Sequence, residues 1–217
     1  MLGKVMILLT LVSLSVSTEA LVLFPKDSNA TIETHIFNQD VDWPNATSLC
    51  QFHAIDINGK NVSFEKYKGN VVIVINVASK GAFVNEHYEE LQRLYEKYRE
   101  RGLRILAFPS NDFFDSDPWN VTEILYDINW YGMEFDFFQK IHVTGENAHP
   151  LWKWLVKKTE CTAQRSNKCG PIYYNFTKFV LDKFSCVEAR FQPQDNPRSV
   201  ESPVISCLKF KYHDYQY

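Results

Sequence analysis

Cysteine and histidine are among the side chains in this chain that could act as nucleophiles, metal ligands or acid–base groups. They stand at Cys50, Cys161, Cys169, Cys186, Cys207, His35, His53, His87, His142, His149 and His213. Their spacings match neither a metal-binding cysteine pair nor a paired-histidine helix, and the sequence has no glycine-rich phosphate loop. We therefore expect solvated or hydrogen-bonded core histidines and no bound metal.

Cys161 and Cys169 bracket a polar segment, and a disulfide between them would close a surface loop. Such a bridge could be a structural staple or an exposed, exchangeable redox centre, and spacing alone does not fix whether the two residues pair. Cys186 falls in a predicted strand, where we expect a buried apolar role. Because the cysteines are odd in number, at least one thiol must be buried or paired with another molecule.

Residues 1–20 have the pattern of a secretory signal peptide. Lys4 precedes an apolar run from Val5 to Val16, and small or polar residues follow up to Ala20. The run is shorter than the ~20 residues of a transmembrane helix. We therefore expect a secreted mature chain that begins near Leu21 and has no transmembrane segment.

Five Asn-X-Ser/Thr triplets could carry glycans on an exported chain. They begin at Asn29, Asn45, Asn61, Asn120 and Asn175. Asn29 and Asn45 are the favoured sites because both lie in residues 21–50, a polar stretch of weak periodicity. We expect this stretch to be an irregular leader packed on the domain edge, with regular structure beginning near Phe52.

The charged residues are mixed along the chain and give a net charge of −3. This balance argues against nucleic acid or an anionic membrane as a partner. The length remaining after residue 50 suits one domain with a sizeable core, which we place at residues 51–217.

The first predicted elements build a strand–helix–strand unit. Asn58-Gly59 predicts the two-residue turn of a small hairpin, and the β-branched run from Asn70 to Val77 predicts a buried strand. Apolar residues spaced three and four apart predict a helix over Tyr88–Tyr98, ended by Gly102, before a second buried strand over Leu103–Phe108. This order produces a right-handed crossover and a parallel strand pair.

The later elements complete an α/β architecture. We predict helices over residues 120–131, 148–157 and 199–208, and a hairpin of strands over residues 176–181 and 186–191. The fold class is therefore α/β, with a central mixed sheet and helices on both faces.

Four segments together carry a family resemblance. They are Asn76-Val77-Ala78-Ser79-Lys80, Gly102-Leu103-Arg104-Ile105-Leu106-Ala107-Phe108-Pro109-Ser110-Asn111, Asn147-Ala148-His149-Pro150-Leu151-Trp152-Lys153-Trp154 and Asn175-Phe176-Thr177-Lys178-Phe179. From about Phe52 to Phe191 the chain resembles the glutathione peroxidase family, and within it the monomeric phospholipid-hydroperoxide type. The resemblance implies a thioredoxin-like fold and a monomer.

The resemblance also implies a catalytic site that this chain has largely lost. The family places its peroxide-reducing cysteine or selenocysteine where this chain has Gly81, which offers no attacking atom. The family's supporting glutamine and tryptophan are replaced by Asp112 and Tyr174, while its asparagine is kept as Asn175. A carboxylate cannot donate hydrogen bonds when ionised and would raise the pKa of a neighbouring thiol.

Two other groups that could support peroxide reduction without a cysteine at position 81 can be set aside. The amine of Lys80 is not a peroxide reductant, and residues 124–131 contain no resolving cysteine of the kind that thioredoxin-dependent members carry. We therefore expect a secreted, catalytically impaired homologue with a binding role, for which glutathione or a hydroperoxide is a possible ligand.

Two alternatives stay open. One is an active peroxidase in the response to oxidative stress, using glutathione as reductant and no other cofactor, with a hidden selenocysteine or another thiol in place of Gly81. The other is an exported redox or folding partner acting through Cys161 and Cys169.

Overall fold

A five-stranded mixed sheet forms the centre of the fold. The computed structural model describes residues 36–80, 83–117, 120–159 and 169–209. Its strands are β1 (His53–Ile55), β2 (Asn61–Ser63), β3 (Val71–Val77), β4 (Leu103–Pro109), β5 (Asp136–Phe137), β6 (Lys178–Leu181) and β7 (Val187–Phe191). The sheet order is β5-β4-β3-β6-β7, with β3, β4 and β5 parallel and β6 antiparallel to both of its neighbours. The predicted mixed sheet is confirmed.

Helices cover both faces of this sheet. They are α1 (Gln39–Asp42), α2 (Val84–Tyr98), α3 (Val121–Trp130), α4 (Pro150–Lys158) and α5 (Glu201–Lys209). Alternate residues of β3 point to opposite faces, so Ile73 and Ile75 pack with residues of α2, α3 and α5, whereas Val72 and Val74 pack with those of α4. The fully buried strand predicted from a continuous β-branched run is therefore correct.

The predicted parallel pair of β3 and β4, joined by a helix, is also confirmed. Helix α2 begins at Val84, earlier than predicted, because Val84 and His87 also lie on its buried side. A turn of 3₁₀ helix over Arg99–Arg101 follows, and Gly102 ends it with a left-handed φ of 98°. Glycine adopts this conformation without the Cβ penalty of other residues.

The prediction of an irregular leader was wrong for residues 39–51. They form α1 and two 3₁₀ turns, Trp43–Asn45 and Leu49–Gln51, and both Ala46 and Leu49 are buried. The buried indole Nε1 of Trp154 donates to the Ala46 carbonyl at 2.8 Å, which fixes this segment to α4. Regular structure therefore begins well before Phe52.

Gln39 connects the same segment to β1. Its side chain is buried, and its Oε1 accepts the backbone N–H of His53 at 2.9 Å. Because Gln39→Ala leaves that donor unpaired, we expect the free energy of unfolding to fall by about 1.5 kcal/mol in urea titrations. Asp40→Ala, on the neighbouring exposed residue, is the matched control, with an expected change within ~0.5 kcal/mol. Equal effects of the two substitutions would contradict this assignment.

The two hairpins differ from prediction in their turns. β1 and β2 pair as expected, but Ile55 is opposite Asn61, so the loop is longer than the predicted two residues. In the second hairpin, the Asp182 carboxylate accepts the N–H groups of Phe184 and Cys186, both at 2.8 Å, which holds Cys186 in the turn. Cys186 is exposed, so the prediction of a buried strand residue was wrong.

The cysteines divide into one bridged and three free residues among those described. Cys169 is disulfide-bonded, whereas Cys50, Cys186 and Cys207 are free thiols. The other half of the predicted loop pair, Cys161, lies outside the described residues.

The triplet asparagines differ in accessibility. Asn45 and Asn61 are exposed, Asn175 is fully buried, and the side chain of Asn120 caps the N-terminus of α3. Asn29 and the predicted signal peptide lie outside the described residues. Within the part of the chain that the structure describes, no helix has the length and apolarity needed to span a membrane.

Candidate functional site

Three segments converge at one end of the sheet. They are residues 78–80 after β3, residues 110–117 after β4, and residues 173–177 before β6. Because β3 and β4 are parallel and β6 is antiparallel to β3, their connecting segments share one edge. The backbone N–H of Lys80 donates to the carbonyl of Ser116 at 2.8 Å and joins the first two segments.

Asn76 attaches the third segment to β3. Its fully buried side chain donates from Nδ2 to the Tyr174 carbonyl at 3.2 Å and accepts at Oδ1 from the Thr177 N–H at 3.0 Å. Its carbonyl also accepts from the Phe176 N–H at 2.7 Å. The asparagine of the Asn76-Val77-Ala78-Ser79 motif therefore positions Tyr174 and Asn175.

The predicted nucleophile position, Gly81, lies outside the described residues, as does Ala82. Phe83 has a left-handed φ of 73° and precedes the first residue of α2. Position 81 therefore falls between a strand, β3, and a helix, α2, as the resemblance implies, while the assignment of Gly81 stays a prediction.

Asp112, at the family's glutamine position, is bound to another loop. Its side chain is 8% exposed, and its Oδ2 accepts the backbone N–H groups of Val143 at 2.7 Å and Thr144 at 3.3 Å. Its Oδ1 lies 2.6 Å from Nδ1 of His142. The N–H of Asp112 donates to the Ser110 hydroxyl at 3.3 Å, a role for Ser110 that the sequence did not indicate.

Tyr174, at the family's tryptophan position, is partly buried among aromatic rings. Its ring centroid lies 6.1 Å from that of Phe113 and 6.0 Å from that of Phe114. The Phe114 side chain is 89% exposed, and Phe114 and Asp115 both have left-handed φ angles. The structure thus brings the Asp112 segment beside Tyr174.

Asn175 is fully buried behind these aromatic residues. Its Nδ2 donates to the Ser116 hydroxyl at 2.5 Å, and its Oδ1 has no hydrogen-bond partner among the described residues. The amide therefore keeps an unused polar atom at the position where the family asparagine supports the nucleophile.

Asp117 was not identified from the sequence. It is fully buried, and neither carboxylate oxygen has a partner of normal hydrogen-bond geometry within the described ranges. Burial raises the pKa of Asp117 to about 6, with Lys140 and Ser79 partly opposing the shift. Its backbone is fixed by the Asn111 side chain, which accepts its N–H at 2.8 Å, and by the Lys140 ammonium, which donates to its carbonyl.

A second buried polar group was also missed. Lys178, fully buried, lies with Nζ 3.1 Å from Nε2 of His87 and donates to the Gln192 carbonyl at 3.2 Å. Burial lowers the pKa of Lys178 to about 8 and that of His87 to about 3, so His87 is neutral and its Nε2 can accept from the ammonium. No local pattern in the sequence marks this contact, because its partners are distant along the chain.

The free thiols lie at the opposite end of the sheet. Leu181, the last residue of β6, pairs with Val72 near the start of β3, and Cys186 follows in the adjoining turn. The candidate site begins after Val77, about 16 Å further along β3 at ~3.3 Å per residue. Cys186 and Cys207 share a cavity there, and Cys50 lines its neighbour, so the described free thiols are remote from the site.

Comparisons with known proteins identify the family. The family model for glutathione peroxidase matches residues 49–156. The chain is 42% identical over 167 residues to the phospholipid hydroperoxide glutathione peroxidases of Bos taurus and Mus musculus, covering 77% of this chain and 83% of each relative.

Solved structures agree with this relationship. The fold is similar to the crystal structure of Trgpx in apo form, with a TM-score of 0.61 and 28% identity over 76% of this chain and 99% of that one. The crystal structure of T. cruzi GPX1 has a TM-score of 0.59 and 26% identity, and the match covers 74% of this chain and 96% of that one. A thioredoxin-family thiol:disulfide interchange protein from Chlorobium tepidum shares the fold with a TM-score of 0.55 and 15% identity, and the match covers 72% of this chain and 92% of that one. The chain has a thioredoxin-like fold and belongs to the glutathione peroxidase family.

Proposed function

We propose that this chain is an exported, catalytically impaired glutathione peroxidase homologue whose scaffold binds a ligand without reducing it. The observation that carries the proposal is that the Asp112 carboxylate accepts hydrogen bonds from the backbone N–H groups of Val143 and Thr144. An ionised carboxylate held by backbone N–H groups is an acceptor and cannot supply the donor that a peroxide-derived anion needs.

The positions of the thiols support the same proposal. Peroxide reduction by sulfur requires a thiolate at the reacting oxygen. Cys50, Cys186 and Cys207 lie at the other end of the sheet, and burial raises the pKa of Cys207 to about 11. None of these described thiols can replace a nucleophile at position 81 without a large rearrangement.

The ligand that best fits the family relationship is a lipid hydroperoxide or glutathione. The relatives named above are phospholipid hydroperoxide glutathione peroxidases. The exposed ring of Phe114 beside Tyr174 supplies an apolar surface at the rim of the site, which suits an acyl chain. Export is proposed from the signal-peptide pattern of residues 1–20.

Steady-state assays of the purified chain test this function. We expect hydroperoxide consumption no faster than the uncatalysed background with either glutathione or thioredoxin as reductant. The control is the same protein after alkylation of its free thiols, which should give an identical rate. Turnover that alkylation abolishes would contradict the proposal, and mass spectrometry of the natural protein across position 81 would then show whether selenocysteine is responsible.

A further inference from the structure

A cavity of about 460 Å³ lies beside the turn that joins β6 and β7. The turn and the start of β7 form one wall, with Asp182, Phe184, Cys186 and Glu188, and α5 forms the other, with Cys207. This volume is within the range of small-ligand pockets. The cavity is separate from the candidate peroxidase site, because it lies at the opposite end of the sheet.

The two thiols of the cavity differ in access. Cys186 is exposed, whereas Cys207 is 4% exposed and packs in the apolar core under α5. Burial and the carboxylates of Asp182 and Glu188 raise the pKa of both thiols, that of Cys207 to about 11. Cys186 is therefore the thiol that a ligand in the cavity can reach, and its thiolate, the minor form because its pKa is also raised, is the nucleophile.

The charge of the cavity is negative. Asp182 is fixed in the turn by the N–H groups that it accepts from Phe184 and Cys186. Glu188 lines the same cavity as Cys186 and is exposed. Among the described residues that line the cavity Lys183 is the single lysine, and its ammonium is directed to the Leu208 carbonyl at 3.4 Å. Lys158 of α4 also acts on Cys186, but more weakly than either carboxylate, so the field at Cys186 is negative.

We propose that this cavity binds small cationic disulfides and that Cys186 takes up half of the disulfide by thiol–disulfide exchange. The Cys186 thiolate attacks one sulfur of the ligand, the ligand S–S bond breaks, and a mixed disulfide forms. The other half leaves as a thiolate and takes up the proton that Cys186 released. The protein thiol is oxidised, half of the ligand is reduced to a thiol, and no further oxidant is needed.

The carboxylates give the cavity its selectivity. A cationic disulfide is attracted by Asp182 and Glu188 and stabilises the attacking thiolate, whereas an anionic disulfide is repelled by both. The preference is therefore for aminothiol disulfides over carboxylated ones, a class that includes glutathione disulfide. This reaction is independent of the peroxidase site, so it does not depend on whether that site is active.

Three disulfides of equal length test the proposal on the full chain. Each rate is divided by the rate of the same reagent with free 2-mercaptoethanol, because the three leaving thiols differ in pKa. On this scale we expect Cys186 to react with cystamine roughly tenfold faster than with dithiodiglycolate, with 2-hydroxyethyl disulfide between them, and the ratio to shrink as salt is added. Peptide mass spectrometry over time gives the rate at each cysteine. Glu188→Lys should bring the cystamine to dithiodiglycolate ratio to within about threefold or reverse it.

Glu146→Lys is the matched control, because Glu146 is an exposed glutamate near the other end of the sheet and its replacement changes the net charge equally. It should leave the ratio unchanged. The proposal is overturned by equal rates for the three reagents, by Cys50 reacting before Cys186, by an internal disulfide between Cys186 and Cys207, or by equal effects of the two charge reversals.

Discussion

Gly81→Cys alone should give almost no hydroperoxide reduction, whereas combining it with Asp112→Gln and Tyr174→Trp should raise the rate at least roughly 100-fold over the single variant. The single variant supplies a thiol but leaves an acceptor, Asp112, at the position where the family has its glutamine. The triple variant restores an amide donor and an indole N–H, the groups that the family uses, while Asn175 is already present. Coupled assays of glutathione consumption measure both variants.

Two double variants, Gly81→Cys with Asp112→Gln and Gly81→Cys with Tyr174→Trp, separate the contributions of the supporting residues. Asp112→Gln also removes the carboxylate that accepts from Val143 and Thr144, so urea unfolding of each variant must show that the loop change has not destabilised the fold. Equal turnover of the single and triple variants, with all proteins folded, would show that Asp112 and Tyr174 do not occupy the supporting positions.

Periodicity in the sequence predicted the sheet and its crossover well, and the reason is physical. β3 is buried on both faces, so every residue from Val71 to Val77 is constrained to be apolar or to be paired, as Asn76 is. The α2 stripe likewise reflects one buried face over several turns. A long strand or helix that is buried along its whole length, or along one whole face, therefore shows its burial in the pattern of its apolar residues.

Short elements were missed because they are too short to show a repeating apolar pattern. The helical turns over residues 39–51 are three or four residues long, too few for a period to repeat. Their stability comes instead from distant partners, such as the Trp154 indole on Ala46 and the His53 N–H on Gln39. The position of Cys186 was misjudged for a related reason, since a single carboxylate, that of Asp182, determines where the turn ends.

The sequence predicted which residues form the candidate site but not which groups they contact. The resemblance named Asp112, Tyr174 and Asn175, and the structure brings their segments to one edge of the sheet. The partners of Asp112 are in another loop some 30 residues away, so no local pattern could show that its carboxylate is bound there. The buried charge of Asp117 was also invisible, because burial of a loop residue depends on the tertiary fold.

Asp117→Asn should stabilise the protein at neutral pH. Folding buries the carboxylate without a partner of normal hydrogen-bond geometry, so the pKa of Asp117 rises from 3.8 to about 6. An acid whose folded pKa is raised contributes stability at low pH that is lost as the pH rises from about 4 to 6. A shift of this size corresponds to about 3 kcal/mol, which the neutral amide should recover at pH 7.5 and not at pH 4.

The measurement is the difference in the free energy of unfolding between Asp117→Asn and the wild type, in urea, from pH 4 to 7.5. The groups that set the shift besides burial are Lys140 and Ser79, which lower the pKa, and Asp127, which raises it, and the substitution leaves all of them in place. Other titrating groups, such as Glu201, cancel in the difference. Asp115→Asn makes the same chemical change on an exposed residue of the same loop and should alter stability by less than ~0.5 kcal/mol at every pH. A gain for Asp117→Asn that did not depend on pH would mean that the amide stabilises through new hydrogen bonds, and a loss would mean that the carboxylate is paired in solution.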